Sequence, residues 1–192
     1  MRCITCENIS FSMICKTCQN DFLNTSLHKR ELENNMIVYS FYKYDEIQDL
    51  LNAKYYFYGD RILNVLAKLS FKKFSSNFNI NENIYIIPID DIIKDDMFSH
   101  TAILVKHLKQ KNLIPQYNCL KAQNKIKFAG KGLEYRKKNK RNFVYNGKQN
   151  VKVILVDDIV TTGLTILEAK EVLEKNNCEV LFALTLSDAK LC

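Results

Sequence analysis

From Met36 onward the chain alternates short apolar runs of strand length with stretches whose apolar residues recur at helical spacing. IVYSFYKY, beginning at Ile37, alternates aromatic and polar positions and predicts a strand, and YDEIQDLLNA then sets Ile47, Leu50 and Leu51 on one helical face. DRILNVLAKLSF repeats that arrangement with Ile62, Leu63, Leu66 and Leu69, and Asp60 is its expected cap. NIYIIPI is a continuous apolar run of the kind found in strands covered on both faces. Ser99 is placed to cap a helix through AILVKHLKQ, with Ala102, Ile103, Leu104 and Leu108 inward and an end before Pro115. A strand is expected near residues 117–122, a turn at Asn146-Gly147, a strand in VKVILVD, a helix in ILEAKEVLEKN and a last strand in VLFALTL.

Strands alternating with helices predict an α/β fold, a mostly parallel sheet flanked by helices. Residues 1–32 lack such a pattern and cannot build a core unaided, so the chain divides into a small N-terminal unit, 1–32, and a main domain, 33–192. No uncharged apolar run reaches the roughly 18 residues a membrane span needs, and MRCITCENIS lacks the apolar core of a secretory signal. A cytoplasmic location without membrane insertion is therefore expected.

That location changes the reading of the cysteines. Seven is an odd count for a disulfide framework, and in a reducing compartment paired cysteines serve as metal ligands or redox groups. Cys3-Ile-Thr-Cys6 and Cys15-Lys-Thr-Cys18 are two CxxC knuckles with eight residues between them. Two such turns supply four thiolates to a tetrahedral Zn²⁺ with no open position, a structural site that would also explain how so short a unit folds. The alternatives are a redox CxxC pair or four chance cysteines. Cys119 and Cys178 read as small apolar residues.

The densest chemistry lies in VILVDDIVTTGLTILEA, residues 153–169. An apolar strand delivers two adjacent carboxylates, Asp157 and Asp158, toward its C-terminal end, where ligands of open α/β sheets bind. A loop with Thr161, Thr162, Gly163 and Thr165 then turns into a helix, and Gly163 permits close approach or positive φ. Backbone N–H groups at a helix start, with hydroxyl donors, suit a phosphate, and the acids above suit ribose hydroxyls directly or through Mg²⁺. Read singly, the acids merely end a strand and Thr-Thr-Gly makes a tight connection. Lys54, followed by YYFYGD with Gly59, is a candidate diphosphate contact, although a surface lysine and a turn glycine would look the same.

Net charge is +7, and the excess is local: Lys106 to Lys152 holds 14 Lys and Arg against one acid, Glu134. Lys125, Lys127 and Lys131 fall in an expected mobile loop able to close over a diphosphate, and Arg136, Lys137, Lys138, Lys140 and Arg141 in a short polar helix beyond it. The set is either an anion-binding face or a solvated surface. Phe128, Tyr135, Phe143 and Tyr145 are interleaved with these cations, an arrangement equally suited to base stacking and to a core.

The acids, two apolar residues, Thr-Thr-Gly, one residue and Thr together resemble the phosphoribosyl diphosphate motif of type I phosphoribosyltransferases. With the double CxxC unit in front, the chain resembles the ComF family of natural-transformation proteins. AKYYFYGD, IIPID, FSHTAILVKHL and LEYRKKNKRNF extend the likeness, with departures at Asp90, Asp96, Met97, Ser99 and His100, so no role carries over to residues 96–100. The resemblance implies a type I phosphoribosyltransferase-like domain behind a four-Cys zinc ribbon. It implies that Asp157 and Asp158 contact ribose hydroxyls, with Mg²⁺, and that Val160, Thr161, Thr162, Gly163, Leu164 and Thr165 cradle the phosphate of 5-phosphoribosyl 1-diphosphate. The implied function is DNA uptake, with single-stranded DNA and a helicase-like protein as partners. The alternatives are an active phosphoribosyltransferase on an acceptor the sequence does not identify, and a nucleic-acid-binding regulator controlled by phosphoribosyl diphosphate.

Overall fold

The computed structural model describes residues 1–89, 98–124, 134–135 and 139–191. Eight strands form among them: β1 (His28–Glu31), β2 (Ile37–Lys43), β3 (Ile84–Pro88), β4 (Leu113–Pro115), β5 (Leu120–Ala122), β6 (Phe143–Tyr145), β7 (Lys152–Val160) and β8 (Glu179–Asp188). Six of them make one sheet in the order β1-β2-β8-β7-β3-β4, and β5 and β6 pair separately. Only β1 runs antiparallel in the large sheet; the other pairings are parallel. The expected α/β architecture is what the chain adopts.

The helices bounded within the described residues are α1 (Lys16–Phe22), α2 (Tyr44–Asn52), α3 (Gly59–Leu69), α4 (Phe71–Asn77), α5 (His100–Lys106) and α6 (Leu164–Lys175). Strand alternation divides the core in two. Ile154 and Val156 of β7 pack with Leu51, Ile62, Leu66, Phe71 and Leu104 on the α2–α5 face. Val153 and Leu155 pack with Ile166, Ala169, Leu173, Leu120 and Phe143 on the α6 face. Both faces of β7 are thus dry, and its apolar run is the sequence signature of that position.

The connections leaving β3 and β7 diverge. β3 leads through α5 to β4 on one side, and β7 leads through α6 to β8 on the other, although β3 and β7 are neighbours. Helices α5 and α6 pack on opposite faces. A crevice between two such strands, at their C-terminal ends, is where open α/β sheets hold ligands. Register sharpens this: the last β3 pairing is Pro88 with Val156, followed by the Ile89 N–H donating to the Val156 carbonyl at 2.8 Å. Asp157 to Val160 run beyond that point, paired with β8.

Several local expectations change. Asp60 is not the cap of α3 but sits in its first turn, and Tyr58 is the N-cap. Ser99 does cap α5, accepting from the Ala102 N–H at 3.1 Å, but α5 ends at Lys106, and Val105 rather than Ile103 is fully buried. The strand expected near 117–122 shrinks to Leu120–Ala122. The turn expected at Asn146-Gly147 is a bend at Gly147 between β6 and β7, with neither residue at the positive φ of a two-residue hairpin. Asn146 instead donates its N–H to the Cys119 carbonyl at 2.9 Å and the chain crosses from the small sheet to the large one. Phe143 and Tyr145 are buried in the α6-side core, which excludes them as stacking surfaces.

Candidate phosphate site and four-cysteine centre

Asp157 and Asp158 lie on the part of β7 that outruns β3, side by side and partly buried. The Asp158 N–H donates to the Asp157 carboxylate at 2.8 Å, and Asp158 itself is clasped by Lys54, Nζ to Oδ2 at 2.5 Å. Burial pushes the Asp158 carboxyl up, but the Lys54 charge and hydrogen bond outweigh it and hold the group below the usual carboxylate range. For Asp157, burial and then the adjacent Asp158 charge push it well above that range, with Arg141 and Lys54 opposing more weakly. Burial depresses the Lys54 ammonium, and the pairing with Asp158 more than restores it, leaving a net upward shift. Two neighbouring carboxylates with opposed shifts make this a candidate functional position.

Lys54 reaches Asp158 from the 3-10 turn Ala53–Tyr55, at the entrance to α3. Gly59 makes that turn compact: a Cβ there would collide with the Ala53 carbonyl and the Lys54 Cα, so only glycine lets α3 start so close to Lys54. His100, at the start of α5, shares a hydrogen bond between its Nε2 and the Lys54 carbonyl at 3.2 Å, and its charge also favours ionised Asp158. Sequence reasoning assigned His100 no role. Its signal was position alone, at the first turn of a helix that follows the strand beside β7.

Thr161, Thr162 and Gly163 form the loop into α6. Gly163 is the N-cap at φ 83, a left-handed conformation, and carries no side chain to cap the helix. The Leu164 N–H finds Thr162 Oγ1 at 3.4 Å, and the Leu167 N–H closes on the Gly163 carbonyl at 3.0 Å. The amides of the first turn, with the positive end of a 12-residue helix behind them, suit a phosphate. Val160 is buried, while Thr161, Thr162, Leu164 and Thr165 keep partial exposure.

The loop is propped by residues that sequence reasoning missed. Arg30 of β1 donates to the Asp188 carboxylate at 2.5 Å and, through its other terminal nitrogen, to the Thr161 carbonyl at 2.9 Å. Leu32 packs where a Gly163 Cβ would stand. A polar strand of four residues, HKRE, gives no periodic signal strong enough to find.

At the other end of the chain, Cys3, Cys6, Cys15 and Cys18 converge with all four Sγ atoms within 4.8 Å of one another. Cys6 and Cys15 Sγ are 3.7 Å apart, close to the roughly 3.8 Å edge of a tetrahedron with Zn–S near 2.3 Å. Backbone N–H groups already point at two of the sulfurs, Cys15 to Cys3 at 3.2 Å and Cys18 to Cys15 at 3.4 Å. Four thiols this close conflict. Burial and neighbouring thiols push Cys18 up, whereas amide donors override burial at Cys3 and bring it down to about 6. A divalent cation removes the conflict, and the donor set, four sulfurs with no open position, fits zinc.

Of the basic candidates, Lys125, Lys127, Lys131, Arg136, Lys137 and Lys138 lie outside the described residues. Arg141 approaches the acid pair closely enough to bear on Asp157, while its N–H and that of Asn142 donate to the Glu168 carboxylate of α6 at 3.0 and 2.7 Å. Lys140 lines a groove along α6 with Glu33, Glu168 and Glu171. Among the described residues, no helix is long and apolar enough to cross a membrane.

No protein-family model matches the chain, and neither does any curated protein. Solved structures do. A hypoxanthine phosphoribosyltransferase from Staphylococcus aureus aligns at 15% identity and TM-score 0.41, covering 66% of this chain and 62% of its own. An orotate phosphoribosyltransferase from Mycobacterium tuberculosis aligns at 13% identity and TM-score 0.42, covering 86% and 77%. A phosphoribosyltransferase from Corynebacterium diphtheriae aligns at 16% and 0.42, covering 85% and 76%. This chain therefore spans less than two thirds of the Staphylococcus aureus enzyme. At these identities the chemistry of the site rests on its own geometry.

Proposed function

We propose that this chain is a ComF-type protein that binds phosphoribosyl diphosphate and acts, with single-stranded DNA and a helicase-like partner, in cytosolic DNA uptake. One observation carries the ligand reading: the acid pair stands on the stretch of β7 that outruns β3, three residues ahead of a loop whose helix starts at a side-chain-free N-cap, Gly163. The sugar phosphate seats its phosphate on the amides and hydroxyls of Val160 to Thr165. Its hydroxyls meet Asp157 and Asp158, the second of them clasped by Lys54, and magnesium accompanying the diphosphate is held there too. Zinc in the four-cysteine centre stabilises the N-terminal unit, residues 1–32, whose strand β1 joins the sheet of the body formed by 33–192.

A second reading, turnover, is favoured by the cations around the acids. Lys54, His100 and Arg141 all bear on Asp157 or Asp158, and such charges stabilise a departing diphosphate. An acceptor would then complete a phosphoribosyl transfer, and a regulator controlled by ligand binding is the non-catalytic variant of the same site. The experiment is a transformation assay on a strain carrying Asp157→Ala with Asp158→Ala, paired with single-strand binding by the purified variant. Loss of transformation with strand binding retained supports a ligand-dependent uptake factor. Full transformation refutes that role for the site.

A further inference from the structure

Between the Ala53–Tyr55 turn and α3 three successive aromatic side chains face solvent, Tyr55 at 63%, Tyr56 at 56% and Phe57 at 86% exposure. Clustered exposed rings mark interaction surfaces. This tip is tied to the site at both ends, by the Lys54 pair with Asp158 and by the close approach of Gly59 to Ala53. Its rings are ordered against one another. Tyr56 stacks on Tyr58 with centroids 5.5 Å apart and planes 2° from parallel, and Phe57 meets Tyr58 edge-on at 5.2 Å. Tyr55 lies 5.3 Å from the Lys54 ammonium and edge-on to His100 at 6.4 Å, so the tip continues directly into the cations of the site.

We infer that Tyr55, Tyr56 and Phe57 form a stacking platform for successive bases of a single-stranded nucleic acid running past the sugar-phosphate site, an inference that rests on the ligand reading above only for that neighbourhood. The chemistry selects this occupant. Lys54 at the base of the tip is already paired with Asp158, so the complement to a polyanion comes from the chain as a whole, at net charge +7. The exposed side chains are all aromatic, and aromatic faces stack on any base without regard to sequence. Three adjacent rings also offer more face than one free base covers.

The test uses the full, zinc-loaded chain and a fluorescently labelled oligothymidylate, with anisotropy measured across a salt series. Phe57→Ala should weaken binding about 5- to 150-fold, the range for losing one stacked base. The slope of log affinity against log salt should stay unchanged, because no phosphate contact is removed. Phe57→Trp should restore binding, and calorimetric affinity for phosphoribosyl diphosphate should stay unaltered in both variants. Equal oligonucleotide binding by Phe57→Ala overturns the platform, as does a variant that changes only the sedimentation of the free protein, or thymidine bound as tightly as the oligonucleotide. A parent protein that binds phosphoribosyl diphosphate but no strand overturns the platform and leaves the ligand reading standing. A parent that binds strand through Phe57 but not the diphosphate does the reverse.

Discussion

Arg30 and Asp188 are 158 residues apart in sequence and 2.5 Å apart in space, and the same guanidinium holds the Thr161 carbonyl at 2.9 Å. Asp188 is fully buried, so the pair is a fixed strut between β1, the end of β8 and the loop that precedes α6. Burial lowers the Arg30 pKa and the Asp188 charge partly restores it. Arg30→Gln leaves a buried carboxylate without its cation and should cost about 3 kcal/mol, the lower end for breaking a buried pair. Arg30→Lys keeps the charge but cannot reach both acceptors, so urea unfolding should show a smaller loss while phosphate affinity still falls. Unchanged affinity in Arg30→Lys would mean the strut supports the fold and not the loop.

Gly163 meets two independent demands, a φ of 83 and the contact with Leu32. Gly163→Ala should destabilise by about 1–3 kcal/mol, part from left-handed strain and part from collision. Adding Leu32→Ala should recover the collision share alone, so the double variant stays below the parent in thermal unfolding. Full recovery would show that the backbone angle carries no strain.

The four-cysteine centre packs into the larger core through Cys3, Ile14, Cys18 and Leu23. Cys15→Ser, or chelation of the parent, should release one equivalent of zinc by elemental analysis and speed amide exchange across residues 1–27. Because Arg30 and Leu32 lie just beyond, phosphate affinity should also drop. Metal retained in Cys15→Ser would remove that residue from the ligand set.

Much of this architecture was legible because buried parallel strands write continuous apolar runs and amphipathic helices write their period. β3, β7, β8, α2 and α3 fall where those patterns predicted. The four cysteines and the acid-to-glycine stretch were legible for a different reason, since each packs its chemistry within a few residues. What the sequence hid is long-range. Nothing near Arg30 announces Asp188 or Thr161, and Lys54 was visible only as a lysine before an aromatic run. Short elements were missed too: β1 is polar, and α4, FKKFSSN, buries Phe71 and Ser75 without repeating a pattern. The Asn146-Gly147 signal marked a bend but not a hairpin, because its flanking strands belong to different sheets.

The opposed shifts of the acid pair contribute to the pH dependence of stability in opposite senses. Asp157 has a folded pKa above its unfolded value, so folding disfavours its ionised form. That penalty is absent below the unfolded pKa, grows as pH rises, and is complete above the folded pKa. Asp157→Asn should therefore raise the Tm at pH 8 and leave it nearly unchanged at pH 3. Asp158 works in the other sense: its stabilisation is present above the unfolded pKa and is lost as pH falls through the lower folded value. A lower Tm for Asp157→Asn at pH 8 would mean the ionised carboxylate has a stabilising partner in the folded protein.

Whether the acid pair and the loop at Gly163 together hold a sugar phosphate is decided by calorimetric titration of phosphoribosyl diphosphate with Mg²⁺. The parent protein should bind one equivalent. Asp157→Ala with Asp158→Ala should lose that heat while its circular dichroism spectrum stays native, and so should Thr161→Ala with Thr165→Ala, to a smaller degree. A parent that gives no binding heat, or an acid-pair variant that binds as well as the parent, would mean that this end of β7 is not a sugar-phosphate site.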